Sequence, residues 1–416
     1  MRAISVKGVT GIKGSIEIQG SKNTVLPIIA ASILTTGVTR IHNCPEIEDV
    51  SVMCELLHCL GVKTRMEEHV LEIDTEHIEY NILPGELTGR LRSSVLLLGP
   101  MISRFHKVQI GMPGGCAIGS RPIDIHLDGL MGMNVEVTKE KDYLQCKCFH
   151  LQGCEYHLRF PSVGATENLL MAAAGAVGRT ILRGAAREPE VIELCRYLVS
   201  VGVVIEGIGT DVLVIKGTGT FYPADYVNPY DRIVAGTYIL MSAALPSEVR
   251  LYGIHNTVYI ANIIELVKNM GVAIVEFPDH ISIHSSGTVK GGNFITGIYP
   301  DFPTDLQPLL ITILMRCREE STVTETIFEN RLGVVDALKR LGGNVSKQEN
   351  IVYINYSDCL CGHTVRATDL RQGAALVVAG LLCEGYTTIT DVEYILRGYE
   401  DIVRDLKCLG VDIAYV

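Results

Sequence analysis

Residues 55–64 read ELLHCLGVKT: an apolar spacing of three and four, a glycine, and then the alternation of a strand. This is the signature of an amphipathic helix stopped by a left-handed residue and continued as a β-strand. The pattern returns as GLMGMNVEV at 129–137, RYLVSVGVVI at 196–205, ELVKNMGVAI at 265–274, ALKRLGGNV at 337–345 and DLKCLGVDI at 405–413. The stopping residues Gly61, Asn134, Gly202, Gly271, Gly342 and Gly410 follow one another at about seventy residues. Asparagine tolerates the left-handed conformation better than other side chains.

A second pattern keeps the same period. It is a polar start, an apolar helix rich in small residues, and a short strand: 21–41, 90–110, 164–184, 231–251, 303–323 and 368–389. These helices are apolar all round, so they are buried on every side. The unit therefore reads strand, buried helix, strand, amphipathic helix, hairpin, six times over, which predicts an α/β chain of βαβαββ-type repeats. The sixth unit stops at VDIAYV, 411–416, one strand short, while RAISVKG at 2–8 has no unit of its own and resembles VLVIKG at 212–217. The amino-terminal strands are thus expected to complete the sixth unit. Three units per domain give residues 21–230 as one domain and 1–20 with 231–416 as the other, with the cleft between them the expected binding place.

A chain of 416 residues with 47% hydrophobic and 20% charged residues suits a folded protein of two or three domains rather than a disordered one. The most apolar runs, such as 169–177 and 374–382, are short and glycine-interrupted, so no membrane span is expected. MRAISVKG lacks a signal region, and a cytoplasmic protein is expected. The 13 cysteines are then expected to be reduced. Cys146, Cys148, His150, Cys154 and His157 cluster too tightly for a zinc knuckle, so no metal site is expected. A net charge of -11 argues against nucleic acid as partner, and any anionic ligand must meet local positive charge.

That charge sits at the starts of the buried helices, where free N–H groups and the dipole already favour anions. The residues there are Lys22 and Asn23; Arg92 and Ser93; Ser162 to Thr166; Asp231 and Arg232; Thr304 and Asp305; Asp369 and Arg371. Arg121, Arg331 and Arg397 add guanidinium groups suited to phosphate or carboxylate. Asp231 and Asp369 each have an arginine one or two residues on, so a structural ion pair is expected for both, whereas Asp305 has none in FPTDLQPL and is the best general-base candidate. Glu188 and Glu329 lie on connections, where binding a hydroxyl and capping a turn stay open. In GMPGGCAIGSRPIDI, 111–125, Cys116 stands among glycines and reads either as a reactive thiol or as one more surface cysteine.

Taken together, these residues resemble the UDP-N-acetylglucosamine 1-carboxyvinyltransferases, a family of enolpyruvyl transferases. The resemblance runs through GSKNTVLP at 20–27, LRSSVLLLGP at 91–100, PGGCAIGSRPID at 113–124, SVGATEN at 162–168, AAREPE at 185–190, FPTDLQ at 302–307, FENR at 328–331, TDLR at 368–371 and RGYE at 397–400. It implies two inside-out α/β barrel domains. It also implies Cys116 as acid, Asp305 as base, and Lys22, Arg121 and Arg397 on phosphoenolpyruvate. Asn23, Arg92, Arg121, Pro122, Ile123, Asp124, Ile125, Ser162, Val163, Gly164, Asp305 and Ile327 would hold the nucleotide sugar, and Arg331, Asp369 and Arg371 are expected among the substrate-binding residues. The family usually has an acid where Leu396 stands here, which bears on a contact to Arg397.

The implied reaction moves an enolpyruvyl group from phosphoenolpyruvate to the 3'-hydroxyl of UDP-N-acetylglucosamine, early in peptidoglycan synthesis. It releases phosphate and needs no metal or organic cofactor. Fosfomycin, a phosphonate epoxide, is the implied covalent inhibitor. The alternatives are a 3-phosphoshikimate enolpyruvyl transferase and a silent paralogue that only binds the sugar. A monomer or weak homo-oligomer is expected.

Overall fold

All six stopping residues have positive φ, from 69° at Asn134 to 110° at Gly202. The N–H that follows each of them reaches back five residues: Val62 to Leu57, Val135 to Leu130, Val203 to Leu198, Val272 to Val267, Gly343 to Leu338 and Val411 to Leu406. That bond satisfies a terminal carbonyl and turns the chain into the next strand, as a left-handed helix stop should. The amphipathic helices so ended are Glu48–His58, Asp124–Gly132, Pro189–Ser200, Ala261–Asn269, Val334–Arg340 and Ile402–Lys407.

A computed structural model describes residues 2–79, 82–114 and 122–416. Among the described residues the strands form six four-stranded sheets. Each is built alike. In the first, Val38–His42 lies parallel to Asp225–Val227 and antiparallel to Val70–Asp74, which pairs in turn with Lys63–Glu67. Two compact units result, residues 2–19 with 230–416 and residues 20–114 with 122–229. Each contains three of the sheets and a core of its own.

The amino-terminal strands divide between two sheets, which corrects the expectation that both serve the sixth repeat. Ile4–Lys7 lies between Tyr386–Thr390 and Ile413–Tyr415, in the sixth sheet. Ile12–Glu17 instead runs parallel to Pro246–Tyr252 of the fourth. The reason is topological. Each sheet takes its parallel edge strand from the segment ahead of its repeat, but the segment ahead of the fourth, Asp225–Val227, has gone to the first sheet. Ile12–Glu17 fills the place left over.

Inside each unit the buried helices lie beneath the sheets. Strands such as Val212–Lys216 turn alternate residues, here Leu213 and Ile215, onto them. Arg232–Ala243 is buried from Ile233 onward, and Leu370–Leu382 from Arg371 to Leu381. Small residues let the helices approach closely. A Cβ on Gly99 would lie 2.3 Å from the carbonyl oxygen of Asn168 and 2.6 Å from its Oδ1. Gly99→Ala is therefore expected to cost about 3 kcal/mol, the upper end for overpacking, because backbone cannot yield as a flexible side chain would. A lowered urea midpoint would show it, and an unchanged midpoint would contradict this helix contact. No helix among the described residues is long and apolar enough to cross a membrane.

Candidate active-site residues

The charged centre of the 230–416 unit is Asp305, at the short helical turn Thr304–Leu306 that opens the buried helix Gln307–Leu314. Arg331 Nη2 donates to its Oδ1 at 2.6 Å and Arg371 Nη2 to its Oδ2 at 3.1 Å. Both arginine side chains are nearly buried, at 3% and 6% exposure, while the Asp305 carboxylate keeps 26%. Burial pushes the carboxyl pKa up, but the charges of Arg371 and Arg331, the Arg331 hydrogen bond and the charge of Arg232 outweigh it and hold it well below the usual carboxylate range.

This reverses the expected roles of Asp305 and Asp369. Asp305 carries two arginines. Asp231 and Asp369 are helix caps: Asp231 Oδ1 accepts from the N–H of Ile233 and Val234, and Asp369 Oδ1 from those of Arg371 and Gln372.

Neighbours that the sequence did not single out hold this cluster. Gln372 Nε2 donates to the Gly333 carbonyl at 3.2 Å, tying the Arg371 helix to the Arg331–Gly333 turn. Glu325, buried, accepts from the N–H of Ile327 and Phe328 and from the Thr304 hydroxyl, so it sets Ile327 against the turn that carries Asp305. Arg397 caps the short helix Glu393–Leu396, and Leu396 ends it. The first and third residues after Arg397 are clamped: Gln19 Nε2 donates to the Gly398 carbonyl, and Gln19 Oε1 accepts from the Glu400 N–H. Tyr399, also buried, shares a 2.7 Å hydrogen bond with the Thr237 hydroxyl. Glu329 is exposed on a turn.

In the 20–229 unit, Lys22 opens the helix Lys22–Ala31 and its Nζ lies 2.9 Å from Asp49 Oδ2, the pair being mostly buried. Asn23 is half-buried beside it. Arg92 starts the Arg92–Leu97 turn, half-buried. Pro122 is exposed and Ile123 buried ahead of the Asp124–Gly132 helix. The Asp124 carboxylate is held by Arg159, which also reaches Asp128 at 3.0 Å, and the Ile125 carbonyl accepts from Tyr156. Ser162 caps the Val163–Ala174 helix by accepting from the Ala165 N–H at 3.3 Å. Glu188 stands at the cap position of the Pro189–Ser200 helix. Cys116 and Arg121 lie outside the described residues.

The other thiols are less uniform than their apolar settings suggest. None of the 12 described cysteines forms a disulfide, and Cys359, Cys361 and Cys408 are exposed. In the tight cluster, Cys146 is buried beneath its sheet and Cys148 Sγ meets His106 Nδ1 at 3.7 Å rather than the cluster's own histidines.

Comparison with known proteins places this arrangement. The family model described as EPSP synthase (3-phosphoshikimate 1-carboxyvinyltransferase) matches residues 6–406. The chain is 39% identical over 417 residues to UDP-N-acetylglucosamine 1-carboxyvinyltransferase 2 of Caldanaerobacter subterraneus subsp. tengcongensis, covering 100% of both. It is 41% identical over 415 residues to the protein of the same name from Clostridium tetani, covering 99% of each. The crystal structure of the enolpyruvyl transferase NikO from Streptomyces tendae shares the fold, with a TM-score of 0.91 at 24% identity over 100% of this chain and 99% of that one.

Proposed function

This chain belongs to the EPSP synthase family, in its UDP-N-acetylglucosamine 1-carboxyvinyltransferase branch, and on that premise we propose that it transfers the enolpyruvyl group of phosphoenolpyruvate to the 3'-hydroxyl of UDP-N-acetylglucosamine, as the first committed step of peptidoglycan synthesis. The observation that supports this most is the end-to-end likeness to relatives named for that reaction. Cys116 delivers a proton to C3 of phosphoenolpyruvate, which makes C2 electrophilic. The sugar hydroxyl attacks C2 and passes its proton to Asp305. The resulting tetrahedral adduct loses a C3 proton and inorganic phosphate, leaving the enolpyruvyl ether.

Lys22, Arg121 and Arg397 hold the phosphate and carboxylate as charge shifts. Asn23, Arg92, the 121–125 run, Ser162 to Gly164 and Ile327 hold the nucleotide sugar, with Arg331, Asp369 and Arg371 beside Asp305. A carboxylate gripped by two guanidinium groups is a weak base. Substrate anions that compete for Arg331 and Arg371 raise its basicity as they bind, which couples base strength to occupancy.

The test is phosphate release by the purified protein with phosphoenolpyruvate and either acceptor. UDP-N-acetylglucosamine should support turnover and 3-phosphoshikimate should not. The opposite preference, or tight sugar binding with no turnover, overturns the assignment.

A further inference from the structure

Asn168, fully buried in the helix Val163–Ala174, joins three elements through one carboxamide. Its Oδ1 accepts from the Gly99 N–H at 2.6 Å. Its Nδ2 donates to the Val95 carbonyl at 3.1 Å and reaches His126 Nδ1 at 3.1 Å. The two backbone partners fix the amide without reference to the histidine. An N–H can only donate and a carbonyl can only accept, so the amide cannot be turned over. His126 Nδ1 must then accept, and the proton of a neutral imidazole goes to Nε2.

His126 is 5% exposed, and its Nε2 has no hydrogen-bond partner among the described residues. The ring is directed at the start of the Val163–Ala174 helix, where a Cβ on Gly164 would lie 3.3 Å from Cε1 and 3.6 Å from Nε2. The N–H groups of Val163 and Gly164 at this end likewise have no partner among the described residues, since Ser162 caps Ala165. A helix start with two open N–H groups attracts anions. A donor on a ring only 5% exposed, directed at the same spot from another helix, is a separate sign of a ligand.

We propose that Asn168 is a positioning residue that locks His126 as the Nε2–H tautomer, and that this N–H joins those of Val163 and Gly164 in binding an anionic oxygen of the nucleotide sugar. The inference rests on the proposed function for the identity of the ligand, whose strongly anionic part is its diphosphate. Burial, then the nearby Arg92, lowers the His126 pKa to about 3 against a smaller opposing effect of Asp124. The donor is therefore neutral and unchanged across the working pH range, unlike an ordinary exposed histidine.

The test is calorimetric titration with UDP-N-acetylglucosamine. His126→Leu should weaken binding by roughly tenfold or more, the scale of a hydrogen bond to a charged group. His126→Gln, which keeps a donor near the Nε2 position, should recover most of it. In Asn168→Asp the carboxylate would draw a proton to Nδ1. The ratio of variant to wild-type affinity should then fall as pH rises and Nε2 loses its hydrogen, where a merely structural defect would lower it equally at every pH. Nitrogen-15 NMR of wild-type His126 should show the Nε2–H tautomer from pH 5 to 9 and a shift of that N–H on adding the sugar, which decides the matter even where Asn168→Asp does not fold. An Nδ1–H tautomer, wild-type binding by His126→Leu, or a bound-state Nε2–H that does not move overturns the proposal. Wild-type protein that binds no UDP-N-acetylglucosamine overturns the functional reading and the ligand named here, while the tautomer in free protein still decides the role of Asn168.

Discussion

Asp305→Asn is expected to lower turnover by at least about 100-fold, the scale for removal of a general base. It is also expected to destabilise the protein at neutral pH by about 3 kcal/mol, the low end for breaking a buried ion pair, since solvent still reaches the carboxylate. The two effects have one origin. Arg331 and Arg371 are nearly buried and meet across Asp305, and removing its charge leaves two guanidinium groups facing each other. Because the folded-state carboxyl pKa lies below its unfolded value, the stability it contributes is complete above the unfolded pKa, near 3.9, and is lost as pH falls through the folded one. The gap in stability between wild type and Asp305→Asn should hold steady from pH 7 to about 4 and close only in stronger acid. Urea titrations at several pH values would measure it. A gap that closes between pH 7 and 5, or a variant with wild-type turnover, is incompatible with this account of Asp305.

The repeated architecture was legible because its signals are local. A left-handed stop after an amphipathic helix and an apolar helix after a polar start depend on residues within one turn of each other, and all six stops behave alike. Pairings between distant residues left no such trace. Nothing in FPTDLQPL announces Arg331, 26 positions on, or Arg371, 66 positions on. The arginine near Asp369 misled for a physical reason: the cap carboxylate turns inward to the N–H groups two and three residues ahead, while the Arg371 side chain reaches Asp305 instead. The supports of the site were equally silent. Gln19 and Gln372 are ordinary polar residues by sequence, and only the packing shows them clamping the backbone beside Arg397 and Arg331. Asn168 stood in plain view within SVGATEN, but its partners Gly99 and His126 come from two other helices.

Cys116 should be the one thiol consumed when the protein is inactivated by limiting phosphonate epoxide with UDP-N-acetylglucosamine, and Cys116→Asp should turn over yet resist the epoxide. Only a thiolate attacks an epoxide, so a thiol made harder to ionise is protected. Burial does this to several others, pushing Cys54 and Cys383 up to about 11 and Cys146 and Cys195 up to about 12. Exposure alone cannot account for such selectivity, because Cys359, Cys361 and Cys408 are exposed. The selectivity must come from anion recognition: an epoxide carrying a phosphonate is held by the cations proposed to bind phosphoenolpyruvate, and Arg121 follows Cys116 by five residues. A neutral alkylating agent lacks that handle. Brief iodoacetamide treatment should therefore also label Cys359, Cys361 and Cys408, while the phosphonate epoxide leaves all three intact. An aspartate at 116 keeps an acid for C3 protonation and removes the sulfur nucleophile, which separates the two roles of the residue. Peptide mapping reads the labels, and phosphate release reads the turnover. Epoxide spread over the exposed cysteines, or inactivation of Cys116→Asp at the wild-type rate, would place the reactive group elsewhere.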